Sequence, residues 1–249
     1  MTSISDSDWR KWGRIDPYYA VCTLPEFKAD HIGANRESFF SSGRRDISIA
    51  IEAAERLYGG VGTSRALDFG SGVGRLVIPL AKRFTHVVGV DISPDMIHEA
   101  QKNCANAELS NTSFVLSDDA LSAVSGSYDL VHSYIVLQHI PIARGLEITR
   151  RLLRLLKPGG VAALHYSLQR TLTPTKAFAY AMKHHIPFGR IAMNVIQGKA
   201  LSAPAMQMNN YSLIDLLALF EDSGMENVVV MPEQHESALT ARILAQKKP

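Results

Sequence analysis

The stretch Leu67-Asp-Phe-Gly-Ser-Gly-Val-Gly74 decides how the rest of the chain is read. A short apolar strand at 65–69 runs into three glycines spaced two apart, and a helical pattern follows at 75–84. Open α/β sheets bind ligands at such turns, beyond the carboxyl ends of their strands and where strand order reverses. Glycines 70, 72 and 74 let the backbone turn tightly and approach a ligand with no Cβ in the way. The spacing is GxGxG. A dinucleotide fingerprint needs GxGxxG, and its third glycine would fall on Arg75, so close helix packing over a pyrophosphate is disfavoured. Pro79, inside the helical pattern, is expected to cost a hydrogen bond and kink the helix.

Outward from this turn, strand and helix alternate. Upstream, a helix at 46–58 places Ile47, Ile51, Ala54 and Leu57 at helical spacing and ends in Gly59-Gly60. Downstream, strands are expected at 86–91, 112–116, 128–133 and 161–166. Helices separate them: one opens at Ser93-Pro94, with a cap and an N1 proline, and one runs from 143 to Lys157-Pro-Gly-Gly160. Crossovers of this kind make a parallel sheet with helices on both faces. The tail differs: after a helix at 211–223, strands at 227–231 and 238–246 are joined too closely for a crossover and should pair antiparallel. The expected fold is therefore α/β, a doubly wound seven-stranded sheet of five parallel strands plus a C-terminal antiparallel pair. A single domain over 1–249 is expected, with an N-terminal helical cap (1–60), a core (61–167), an inserted lid (168–210) and a C-terminal helix with the antiparallel strands (211–249).

Three consecutive strand ends carry candidate ligand groups. Ser71 and the glycines follow the first strand. Gly89-Val-Asp91 closes the second, 17 residues beyond Gly74, and a carboxylate there can accept hydrogen bonds from both hydroxyls of a ribose. Ile92 offers an apolar face to a base. Asp118-Asp119-Ala120 closes the third, where a side chain can reach an adenine amino group.

Together, Leu67-Asp-Phe-Gly-Ser-Gly-Val-Gly74, Gly89-Val-Asp-Ile-Ser-Pro-Asp-Met96, Tyr128-Asp-Leu-Val131, Leu137-Gln-His-Ile140 and Leu156-Lys-Pro-Gly-Gly160 resemble the successive motifs of class I S-adenosylmethionine (SAM)-dependent methyltransferases. The resemblance covers about residues 60–165. It implies SAM as cofactor, with Asp68, Gly70, Ser71, Gly72 and Gly74 lining its methionine and ribose portion. Asp91 would hold the ribose hydroxyls, Ile92 would pack on adenine, and Asp119 or Asp118, beside Ala120, would contact the adenine amino group. Ser133 would lie near the reactive methyl, and Arg44 or Arg45 could bind the cofactor's carboxylate. The segment around these arginines also resembles methyltransferases of bacterial polysaccharide and secondary-metabolite pathways. Trp9, Trp12, Tyr18 and Tyr19 are expected to cover the cofactor.

A sulfonium cofactor brings its own activation, so the protein mainly orients the reactants. An acceptor hydroxyl can still need a base, and histidine suits that role near neutral pH. His139 is the expected catalytic base, with Tyr134 as polar orienter; His132 and His165 fall inside strands and read as structural.

Composition narrows the acceptor. The net charge of +2 gives no global case for nucleic acid or an anionic membrane. Cys22 and Cys104 lie far apart, which suggests neither a disulfide framework nor a zinc site; no metal is expected. The polar start of the chain and the lack of a long apolar run point to a cytoplasmic protein, with stable membrane insertion not expected. No Asp or Glu occurs from Ile148 to Ile214, while Arg150, Arg151, Arg154, Lys157, Arg170, Lys176, Lys183, Arg190 and Lys199 do. This points to a small-molecule or glycan-precursor acceptor, with an anionic one among the candidates, since guanidinium groups grip phosphate and carboxylate well. Oligomeric state is not legible. Three rivals stand beside this reading. A nicotinamide oxidoreductase would want other glycines and a Tyr-x-x-x-Lys pair, and Tyr180-Ala-Met-Lys183 has one residue too few. A nucleic-acid methyltransferase would want an Asn/Asp-Pro-Pro-Tyr-like loop where His132-Ser-Tyr-Ile135 stands. The third is a non-catalytic SAM-binding module.

Overall fold

The computed structural model describes residues 4–118, 120–185, 189–196, 201, 203–235 and 238–248. Its centre is a seven-stranded sheet in the order β3-β2-β1-β4-β5-β7-β6. The strands are β1 (Arg65–Phe69), β2 (His86–Asp91), β3 (Thr112–Leu116), β4 (Tyr128–Ser133), β5 (Leu156–Arg170), β6 (Met225–His235) and β7 (Ala238–Lys247). The first five run parallel, and β7 pairs antiparallel with both β5 and β6. Both expectations, the parallel set and the antiparallel closure, hold. Order reverses at β1, which lies between β2 and β4, and the glycine turn leaves the sheet at that crevice.

Alternation along each strand splits the core into two layers. Leu67, Val131 and Leu164 face one side, where they meet Ile148 and Leu152 of α6 (Ile142–Arg154) and Phe220 of α9 (Leu213–Asp222). Ala66, Leu130 and Val161 face the other. There they meet Ile47, Ala50, Ile51 and Ala54 of α3 (Ile32–Tyr58) and Leu80 of α4 (Val77–Ala81). A third cluster, Tyr18, Phe27, Phe39, Val73 and Met96, joins the N-terminal helices α1 (Ile4–Ile15) and α2 (Pro17–Val21) to the glycine turn and to α5 (Pro94–Asn106).

Four boundaries differ from expectation, each for a local reason. α3 begins at Ile32 rather than at 46, because Phe39 and Gly43 continue its buried face; it ends at Gly59 in the left-handed region, φ 75°, as expected. α4 is only five residues long. Ile78 N–H donates to the Gly74 carbonyl at 3.1 Å and Leu80 N–H to the Leu76 carbonyl at 3.3 Å, but Pro79 between them has no N–H for the Arg75 carbonyl, so one rung is missing, as expected, and the regular helix begins only at Val77. β5 extends beyond 161–166 at both ends, and β6 continues through Pro232, which an edge strand tolerates. Residues 168–210 contain α7 (Pro174–His185) and α8 (Gly189–Ile196). Among the described residues no helix is long and apolar enough to cross a membrane.

Candidate active site

The carboxyl ends of β1, β2 and β4 open into a cavity of about 730 Å³. Gly70 and Gly72 form its floor at φ 77° and 53°, conformations that L side chains rarely adopt. A Cβ at Gly70 would meet Val136 at 2.3 Å, and one at Gly72 would meet Val21 at 2.6 Å. The turn is pinned to β2: the backbone N–H groups of Gly70 and Ser71 both donate to the Val90 carbonyl, at 2.7 and 3.0 Å. Asp91 then bridges two elements. Its Oδ2 accepts the Gly72 N–H at 2.8 Å, and its Oδ1 accepts the Ser93 N–H at 2.9 Å. Burial pushes the Asp91 carboxyl up to about 6, against the pull of those backbone donors.

Among the cavity's buried polar atoms, Ser71 Oγ in this turn and Gln138 Oε1 beside His139 have no hydrogen-bond partner. A glycine cradle, a strand-end carboxylate with lone pairs to spare and orphaned polar atoms fit a cofactor that carries hydroxyl and ammonium donors. Ile92 and Met96 line the same wall and supply apolar surface.

Across the cavity stands His139, at the end of the 3-10 turn Leu137–His139. Its Nδ1 donates to the Gln207 carbonyl at 2.7 Å, which leaves Nε2 as the lone-pair nitrogen, where it accepts the Gln138 side-chain N–H at 3.4 Å. Trp9 packs on the imidazole at 4.8 Å between ring centroids. Burial lowers its pKa to about 4, against a small upward pull from the Gln207 carbonyl. Met206, Met208 and Arg170 continue this wall, and Arg170 lies over the Tyr180 ring at 5.0 Å. Beyond β4, Ile135 lines the cavity at φ 59°, an uncommon backbone state for a β-branched residue.

Residues 66–160 match the family model described as a methyltransferase domain. The glycine turn, the Asp91 strand end and the His139 turn all fall inside that matched segment. It is similar to the ubiquinone biosynthesis O-methyltransferase of Methylococcus capsulatus, 29% identical over 48% of this chain and 51% of that protein. The enzyme of the same name from Methylocella silvestris is 33% identical over 47% of this chain and 44% of that protein. The matched segment thus spans about half the length of these curated relatives. Over the whole fold, the chain is similar to the magnesium protoporphyrin IX methyltransferase of Synechocystis PCC 6803, solved with bound SAM. The TM-score is 0.64 at 17% identity, covering 98% of this chain and 97% of that one.

Within this fold the sequence-derived site residues separate into three groups. Gly70, Ser71, Gly72, Asp91, Ile92, Tyr134 and His139 line one cavity. Others lie behind its wall. Asp68 Oδ1 accepts a hydrogen bond from His132 Nδ1 at 2.8 Å, in the sheet interior. The Ser133 hydroxyl donates to the Phe69 carbonyl at 2.9 Å, tying β4 to β1 rather than facing a reacting group. Gly74 packs under α5, where a Cβ would lie 3.4 Å from Ala100. The third group lies off the cavity altogether. Asp118 is exposed and spends its carboxylate on the Ser122 hydroxyl and backbone N–H, which hold its pKa down; Ala120 is exposed beside it. Asp119 lies outside the described residues, and Ser117 is the β3-end residue that lines the cavity. Arg44 points outward to Glu37 at 2.5 Å, whereas Arg45 lines the cavity.

Sequence reasoning missed several site residues. Arg75, noted there only as the residue that breaks the dinucleotide pattern, is 7% exposed. It pairs with Asp46 at 2.6 Å and donates to Ser42 Oγ at 3.0 Å. Tyr134 is held by groups from the tail hairpin: its hydroxyl donates to Glu233 Oε2 at 3.2 Å, and Arg242 lies over its ring at 4.7 Å. Burial, then the Glu233 charge, push its phenol well above the usual range. A cation among the apolar residues Leu239-Thr-Ala-Arg-Ile-Leu244 is the signal that was available.

The cations of 148–214 are also resolved in part. Arg150 and Arg151 pair with Glu147, just before the acid-free interval, and Lys157 pairs with Asp129 of β4. Arg170 lines the cavity. Lys199 and the side chains of Lys176, Lys183 and Arg190 lie outside the described residues.

Proposed function

We propose that the protein transfers a methyl group from SAM to an oxygen or nitrogen of a small-molecule acceptor. The acceptor would be held between the glycine turn and the His139 wall. The observation that carries this is one cavity lined both by a cofactor cradle and by an imidazole fixed in a single tautomer. SAM, when bound, supplies an electrophilic methyl on a sulfonium. Asp91 accepts ribose hydroxyls, and Gly70 and Gly72 admit the cofactor without a steric collision. His139, neutral throughout the physiological range, takes the proton that the acceptor hydroxyl or amine gives up as its new bond to carbon forms. Trp9, Met206 and Met208 offer apolar surface to the acceptor's body, and Arg45 and Arg170 favour an anionic substituent.

Relatives named for ubiquinone biosynthesis and for magnesium protoporphyrin IX support a small-molecule acceptor over a macromolecule. In this reading residues 168–210 are the lid of a single domain that acts in the cytoplasm, a setting that suits two unpaired cysteines. The test is label transfer from methyl-labelled SAM into a panel of phenolic, carboxylate-bearing and sugar-nucleotide acceptors. Label appearing in a small molecule, and lost in His139→Ala, supports the reading; label appearing only in nucleic acid or protein overturns it.

A further inference from the structure

Beyond the Tyr134 edge of the cavity, the sheet's antiparallel end gathers side chains that the reading above leaves without a task. His165 of β5 and Glu233 and His235 of β6 approach one another across β7. Glu233 and His235 are two apart on one strand and so share a face. Glu233 Oε2 lies 3.9 Å from His165 Nε2 and 3.2 Å from His235 Nε2, and the three ligand atoms all fall within 4.8 Å of one another.

The environment of His165 is the observation that points to a ligand. The side chain is 1% exposed, and neither ring nitrogen has a hydrogen-bond partner. Buried polar groups are nearly always satisfied, and an orphaned imidazole needs an occupant to explain it. Glu233 Oε2 is the hydrogen-bond partner of His235 Nε2. The Arg242 guanidinium sits at Oε1, 3.1 Å away, and leaves Oε2 on the side of the histidines and of the Tyr134 hydroxyl.

We propose that His165, Glu233 and His235 bind one divalent transition-metal ion at the Tyr134 end of the cavity. Two neutral imidazoles and one carboxylate are a donor set for zinc, cobalt or iron(II) rather than for magnesium or calcium, which prefer oxygen. Bonds of about 2.0–2.1 Å at tetrahedral angles put donor atoms about 3.3 Å apart. The spacings here need only a small inward movement of His165. His165 and His235 line the cavity, so the ion's remaining positions face the space assigned to the acceptor. Ion binding itself does not depend on methyl transfer.

The test uses the full chain stripped of metal by chelator and then titrated with Co²⁺. The expected result is a saturable visible d–d absorption at one ion per chain, displaced by Zn²⁺. His165→Ala, His235→Ala and the near-isosteric Glu233→Gln should each weaken binding by on the order of a hundredfold, at least the loss that follows removal of an outer-shell partner. His98→Ala, on the exposed face of α5, should bind as the parent does. Cooperative melting and SAM binding, measured on the metal-free proteins, identify variants that remain folded. An absent band, or Co²⁺ affinity unchanged in folded Glu233→Gln and His235→Ala, overturns the metal site. Absent SAM binding alone would instead strike the methyltransferase reading.

Discussion

Asp91 holds the glycine turn and faces the cavity at the same time. Its two oxygens accept N–H groups from Gly72 and Ser93 and keep further lone pairs for a ribose. Charge-assisted hydrogen bonds contribute about 1.5–3 kcal/mol each, so Asp91→Ala should weaken SAM binding roughly a hundredfold. The carboxyl, raised to about 6, must be ionised to accept both hydroxyls. SAM affinity should therefore fall as pH drops through 6 in the parent, and an isothermal titration series from pH 7.5 to 5 would detect it. His139→Ala should lower kcat by about two orders of magnitude and leave SAM affinity unchanged, as measured by single-turnover assay and titration. Strand-end logic puts Gly70, Gly72, Asp91 and Ile92 on the cavity wall, where the structure has them, because a place beyond a strand end follows from topology alone. Asp118 and Ser133 do not line it, because their partners Ser122 and Phe69 are set by local turn geometry and strand register that no spacing encodes.

At the scale of elements, one buried ion pair locks α3 to the glycine turn. Arg75 follows Gly74 directly, and its partner Asp46 sits mid-helix in α3, whose Gly43 allows the Arg75 backbone to approach. Removing one member of a buried pair leaves an uncompensated charge, at a cost of about 3–5 kcal/mol. Asp46→Ala should lose about that much in urea unfolding, and Asp46→Asn, which keeps an acceptor for Arg75, should lose less. Element types were legible in the sequence because both periods are clean in the core. Lengths were not: Phe39 and Gly43 extend α3 by packing against the N-terminal cluster and Arg75, and Pro232 reads as a strand end unless β6 is known to be an edge.

For the molecule as a whole, burial of neutral histidine links folding to pH. The His139 pKa is about 4 in the folded chain against 6.5 for the free side chain, so the unfolded chain binds the extra proton between those values. Stability is then fully present above pH 6.5 and is lost as pH falls toward 4, by about 2 kcal/mol between pH 7 and 5. Urea midpoints across that range should show it, with a flatter slope in His139→Gln. The tail hairpin, which the sequence places only as a sheet edge, carries Glu233, His235 and Arg242 to the far end of the cavity. Their convergence with His165 of β5, across three strands, has no signature in linear spacing.

The central claim is that the turn at Gly70–Gly72 and the carboxylate of Asp91 together hold SAM. Calorimetric titration of SAM into the parent chain and into Asp91→Ala at pH 7.5 tests it most directly. Saturable one-to-one binding by the parent, weakened roughly a hundredfold in the variant, is the expected outcome. A parent chain with no saturable heat, or a folded Asp91→Ala protein that binds SAM as tightly as the parent, would contradict it.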